Sequence, residues 1–249
     1  MNSTKKKPVS KSKLLTLIKD LDWASVKAAL AEHPGLRKFR GPRGANLLHL
    51  CCGIDIEKRG LSAADSIKMA GVLLDASLDI NREAFTEGEW KATPLWYAVG
   101  RGKNLELAKY LIKRGADPEH CLWAAAYNDS PAAIRMLVRA GAVVDARGSE
   151  TPFLFAVKWS RFESAKALLD VGANVNFQDR RGKTALHYML KKRSHPKSVR
   201  MLLDHGARLD LEDHDGVTAG SMLSRMRSPE YQKLAKKWSQ TASGVSTGC

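Results

Sequence analysis

Four segments of this chain end in the same phrase, L-[LIV]-x-x-G-A, and a chain built from such copies has to stack them rather than fold around one centre. The copies are K-Y-L-I-K-R-G-A-D-P (109–118), R-M-L-V-R-A-G-A-V-V (135–144), K-A-L-L-D-V-G-A-N-V-N (166–176) and R-M-L-L-D-H-G-A-R-L (200–209). A degenerate fifth copy, V-L-L-D-A-S-L-D-I-N (72–81), puts Ser77 where the others have Gly115, Gly141, Gly172 and Gly206. Upstream of the copies stands a second shared phrase, as N-L-L-H-L-C (46–51), T-P-L-W-Y-A (93–98), C-L-W-A (121–124), T-P-F-L-F-A (151–156) and T-A-L-H-Y-M (184–189). Thr151 and Thr184 lie 33 residues apart, the length of one unit.

The residue types say what each unit is. Thr93, Thr151 and Thr184 are good helix N-caps, and the small Ala98, Ala124 and Ala156 allow a closely packed inner helix. The leucine pair falls on the buried stripe of an outer helix. The glycine after it suits the left-handed residue with which helices commonly stop, and a short polar turn then reaches into the next unit. These residues resemble the ankyrin repeat, whose signature opens T-P-L-H-x-A and closes L-L-x-x-G-A-D-x-N, over roughly residues 44–225. The resemblance implies an all-α ankyrin-repeat solenoid of about five to six helix-turn-helix units, with an N-terminal helical cap and a C-terminal helix.

The expected organisation is a disordered basic tail at 1–12, a helical cap at 13–43, the array at 44–225, a capping helix at 226–239 and a disordered tail at 240–249. Within the array the units fall near 44–82, 91–118, 119–147, 149–179, 182–213 and 214–225. The cap reads as two short helices broken at Asp20–Asp22 and stopped by Pro34–Gly35. Three departures stand out against the repeat: a short interval between Gly115 and Gly141, an insertion at 54–65 and a long finger at 83–92. Insertions on one face of an array often serve binding, and drift without function is the competing explanation.

The chain carries 41 Lys and Arg against 26 Asp and Glu, and the excess is localised. Residues 1–45 hold eleven bases against three acids, and residues 180–200 hold eight bases and no acid, which leaves the rest close to neutral. The lysine run near the N-terminus is consistent with a nuclear address, a polyanion-binding arm or a solubilising extension. Cys51, Cys52, Cys121 and Cys249 lack the spacing of a disulfide framework and no apolar leader is present, so a reducing, cytoplasmic setting is expected, or a nuclear one if the lysine run is a targeting signal. No apolar stretch approaches the roughly 18–20 residues of a membrane span, and a monomer is the expected state.

Catalytic and metal-binding motifs reduce to the repeat pattern. Gly182-Lys183-Thr184 mimics the end of a phosphate-binding loop, but Phe177 stands where its first glycine belongs. His49 with Cys51 and Cys52 has no C-x-x-C partner, and His120–Cys121 has no third group to orient a thiolate–imidazole pair. The resemblance gives His49 and His187 the T-P-L-H place, where the imidazole bridges backbone turns. The expectation is therefore a chain with no catalytic residues, no cofactor and no metal.

In the family that the repeats resemble, partners contact the finger tips and the exposed side of the inner helices. Those slots hold Arg180, Arg181 and Lys183 in one finger, and Lys191 and Lys192 on the following inner helix. The matching slots elsewhere hold Arg101, Tyr127, Lys158, Trp159 and Arg225, so a regular array makes a basic concave stripe with two aromatic rings. Such a surface suits an acidic protein partner, or alternatively nucleic acid through the basic patches at 1–45 and 180–200. Lysines and arginines on helices also form ordinary solvated faces. The expected function is thus a non-catalytic protein–protein interaction module.

Overall fold

The computed structural model describes residues 9–86, 90–145 and 150–242, with side chains through Trp238. Its helices come in pairs because each unit supplies one capped apolar segment after another. The cap holds α1 (Lys11–Lys19), which starts where the Ser10 side chain accepts from the Lys13 amide, and α2 (Trp23–Glu32), which the Asp22 carboxylate caps at Ser25. Next come α3 (Leu47–Cys52), α4 (Ile56–Arg59) and α5 (Ala63–Asp75), so the 54–65 insertion contributes a short helix of its own. The long finger forms a hairpin of β1 (Ala84–Phe85) and β2 (Lys91–Ala92), antiparallel, with Ala84 opposite Ala92; its tip at 87–89 lies outside the described residues.

The remaining pairs are α6 (Pro94–Gly100) with α7 (Leu105–Lys113), α8 (Cys121–Tyr127) with α9 (Pro131–Arg139), α10 (Pro152–Lys158) with α11 (Phe162–Asp170), and α12 (Ala185–Lys191) with α13 (Pro196–Asp204). The last are α14 (Ala219–Ser224) and α15 (Pro229–Ala242). The helices cross the expected tail boundaries at 12 and 240: α1 starts at Lys11, where Ser10 supplies a cap, and α15 runs to Ala242, anchored by its buried Tyr231 and Leu234; residues 1–8 and 243–249 of the expected tails lie outside the described residues.

The chain divides into two compact units, the first running to Ala124 with Arg139–Ala142, the second comprising Ala125–Val138 and the residues from Val143 on. In the first, α3 packs on α6, and α5 packs on both α2 and α7, inner helix on inner and outer on outer. In the second, α12 lies between α10 and α14, and α15 covers α13 and α14. Leucines fill both cores, with Leu47, Leu73, Leu95 and Leu107 in the first and Leu154, Leu168, Leu186 and Leu202 in the second, all at most 1% exposed.

The turns follow from the sequence phrase. Gly115, Gly141, Gly172 and Gly206 take φ of +92°, +98°, +94° and +84°, and Ser77 accepts the same left-handed region at +64°, a strain of about 1–2 kcal/mol for a residue with a Cβ. That conformation lets the following amide turn back onto the helix: Ala116, Ala173 and Ala207 donate to the carbonyls of Leu111, Leu168 and Leu202 at 2.9, 2.9 and 3.0 Å. Gly102 is required for another reason, since a Cβ there would sit 2.3 Å from the Cys52 carbonyl oxygen.

Side chains then tie each repeat to the next. The Asn176 side chain accepts from the Arg208 amide at 2.8 Å and donates to the Gly206 carbonyl at 3.0 Å; Asn81 does the same with Asp117 and Gly115. His49 Nε2 donates to the Ala92 carbonyl at 3.2 Å and His187 Nε2 to the Val217 carbonyl at 3.0 Å, each the residue before the next unit's threonine cap. Their Nδ1 atoms accept from the cap amides of Asn46 and Thr184. The two histidines are thus structural bridges, as the T-P-L-H slot implies.

Candidate partner-binding surface

Apart from Arg180, Arg181 and Lys183 in the finger, the expected site residues sit at the C-terminal ends of inner helices, where cations also gain about 0.3–1 kcal/mol each from the helix dipole. Lys158 is the last residue of α10 and Trp159 its C-cap; Lys191 is the last residue of α12 and Lys192 its C-cap; Arg225 caps α14. The three helices are neighbours within the second unit, so their ends lie side by side. Lys192 Nζ donates to the Lys158 carbonyl, which links two of those ends directly. Tyr127, the last residue of α8, carries the Arg161 guanidinium 5.7 Å from its ring centre, and Trp159 leans on Phe155 with ring centres 6.0 Å apart. Tyr127 is 56% exposed and Trp159 60%, which is unusual for rings of this size.

A network beneath the surface holds it in place. Lys158 Nζ pairs with Glu150 at 2.6 Å and lies 5.2 Å from the Tyr188 ring centre. The Tyr188 hydroxyl donates to Asp179 at 2.5 Å, and the same carboxylate accepts the Arg181 amide at 2.9 Å and the Lys183 amide at 3.1 Å. Burial and the bond to Asp179 push the Tyr188 phenol up to about 12, so it stays a donor at any physiological pH. Lys191, Arg193 and Arg225 are exposed, and among the described residues no carboxylate pairs with them.

One of the expected residues does not belong to a free surface. Lys183 is bonded to Asp213 at 2.5 Å and also faces Asp215 at 3.6 Å, with only 20% of its side chain exposed. Its ammonium holds the Asp213 carboxyl down at about 2, so Lys183 is a tie between consecutive fingers. Arg101 is exposed and lies in the first unit, its guanidinium 5.0 Å from the Tyr97 ring centre. Arg180 and Arg181 remain exposed in the finger before α12. Local spacing missed the supporting residues Glu150, Asp179, Tyr188 and Arg161. Asp179 and Asp213 were recognisable by register, since each stands three residues before a finger glycine, Gly182 and Gly216.

Cys51, Cys52 and Cys121 are buried and unbridged, and burial pushes the Cys121 thiol up to about 12, far from a nucleophilic thiolate. Among the described residues no cluster of His, Cys, Asp and Glu could hold a metal ion, and no helix is long and apolar enough to cross a membrane.

Known proteins place the fold. A family model described as ankyrin repeats (three copies) matches residues 122–213, and one described as ankyrin repeat matches residues 90–121. Among solved structures, the human ASB11 ankyrin repeat domain superposes with a TM-score of 0.70 at 20% identity, covering 91% of this chain and 98% of that one. A chain of the complex between the Bdellovibrio bacteriovorus predatory endopeptidase Bd0816 and immunity protein Bd3460 superposes with a TM-score of 0.58 at 22% identity, covering 80% of this chain and 99% of that one. No curated protein matches in sequence. Ankyrin repeats generally mediate protein–protein interaction and are typically non-catalytic. With helix pairs, left-handed stops and repeat-to-repeat bridges all following the pattern that the models match over 90–213, this chain is an ankyrin-repeat protein.

Proposed function

We propose that the protein is a non-catalytic interaction module that binds an acidic segment of a protein partner through the ends of α10, α12 and α14. The observation that carries this reading is the presence in one unit of exposed Trp159 and Tyr127 together with the cations Lys191, Arg193 and Arg225, with which no carboxylate pairs among the described residues. Tryptophan, tyrosine and arginine are the residue types that most often dominate binding energy, and a basic field speeds the approach of an acidic partner. The Glu150–Lys158–Tyr188–Asp179 network keeps the surface ordered before binding, which limits the entropy lost on association. Arg180 and Arg181 extend the same field from the finger. The buried free thiols favour a reducing, intracellular setting for this role.

The test is affinity capture from lysate with wild type and with Lys191→Glu/Lys192→Glu, each with and without nuclease. Proteins held by wild type after nuclease and lost by the variant support the reading. Capture that disappears with nuclease transfers the surface to nucleic acid, and equal capture by both proteins refutes the role of α12.

A further inference from the structure

The 54–65 insertion does more than lengthen a loop. Together with α1 and the 39–42 segment it encloses a cleft of about 580 Å³, inside the range of small-molecule sites. Its exposed walls are carbon, from Leu15 of α1, Phe39 of the turn and Leu50 of α3, with Ile54 of the insertion nearly buried at their edge and the fully buried Ile18 behind them. The backbone amides along it are already engaged, Gly41 with the Ala45 carbonyl at 2.7 Å, Gly53 with His49 at 2.9 Å and Ile54 with Cys51 at 3.2 Å. An entering peptide backbone would find those three donors taken, whereas an alkyl chain needs none.

The rim is cationic. Lys19 and Lys58 line it, both exposed, and among the described residues no carboxylate pairs with either. Asp55, the lining acid, accepts the Lys58 amide at 3.0 Å as the cap of α4. Arg59 is occupied, bonding the Lys19 carbonyl at 2.5 Å and Asp20 at 3.2 Å. The Arg59 fork is thus taken by Lys19 and Asp20 and the α4 N-terminus by Asp55, so the two devices that grip phosphate through several bonds are already occupied, and the ammonium groups of Lys19 and Lys58 remain for a compact anionic head.

We propose that this cleft binds a medium-chain alkyl carboxylate, its chain among Leu15, Phe39, Leu50 and the edge of Ile54 and its head at the rim that Lys19 and Lys58 line. The site belongs to the first unit.

Calorimetric titration of the full chain with sodium decanoate, below its micellar concentration, tests this. One saturable site is expected, with decyltrimethylammonium and decyl phosphate each binding at least about tenfold more weakly. Amide shifts on titration should centre on Gly41, Gly53 and Ile54 in the wild-type protein. Lys19→Glu/Lys58→Glu should weaken decanoate by at least about tenfold, and Leu15→Trp, which fills the cleft, should abolish the shifts. Equal binding of the cationic and anionic decyl compounds, tighter binding of decyl phosphate, or shifts elsewhere would each overturn the proposal. The wild-type shift map decides the matter even if a variant fails to fold.

Discussion

Lowering the pH from 7.5 to 4.5 should destabilise the protein through one buried imidazole. His49 is 0% exposed, and burial is the main reason its imidazolium is held down to about 4. The bond to Ala92 pulls the other way without reversing the effect. An unfolded histidine titrates near 6.5, so between about 6.5 and about 4 the unfolded chain holds a proton that the native chain excludes. Stability is therefore complete above about 6.5 and falls with pH at up to about 1.4 kcal/mol per unit, reaching a loss on the order of 3 kcal/mol near pH 4. The assay is urea unfolding of wild type and His49→Gln across this range. Glutamine costs stability at neutral pH but does not titrate, so the gap between the two proteins should shrink by about 2–3 kcal/mol on acidification. A gap constant to within about 0.5 kcal/mol would refute the account, as would an NMR titration placing the His49 ring near 6.5.

Other expectations follow from the packing and the bridges. Leu168→Ala, at a position 0% exposed on α11, should cost about 2–5 kcal/mol in chemical unfolding, and a cost under about 0.5 kcal/mol would mean that the outer-helix register is wrong. Gly102→Ala should cost at least about 1–3 kcal/mol, since the new Cβ meets the rigid Cys52 carbonyl; an unchanged melting temperature would show that the turn relaxes freely. Asn176→Ala removes two bonds between repeats and should cost about 1–3 kcal/mol, read by loss of hydrogen-exchange protection at Arg208. The Asp213 carboxyl, held at about 2 by Lys183, contributes stability that is complete above the ordinary carboxylate range near 4 and lost as pH falls toward about 2; carbon NMR of its carboxyl should show that depressed midpoint, and Lys183→Met should raise it.

The sequence made the helix pairs legible because their determinants are local. Thr93 and Thr151 cap through bonds three residues long, and Gly115, Gly141, Gly172 and Gly206 stop helices by their own backbone freedom. Whether a lysine is free depends on what lies one repeat away, and that is where local spacing fell short. Lys183 looked like a binding residue until its partner Asp213, thirty positions on, was in view, while Lys191, in the same basic run, has no such partner among the described residues. The cleft was invisible for a related reason: the insertion, read as a loop, folds back on α1, a contact across about forty residues that no periodicity encodes.

The amide bridges of Asn81 and Asn176 also give the array a chemical lifetime. Each side chain serves with both ends, oxygen toward an amide and nitrogen toward a glycine carbonyl. Hydrolysis of that side chain to a carboxylate exchanges the donor for an oxygen that faces Gly115 or Gly206, turning attraction into repulsion at the junction of two repeats. Ageing of the polypeptide would then register first as loosened seams between repeats, while the helices on either side stay intact.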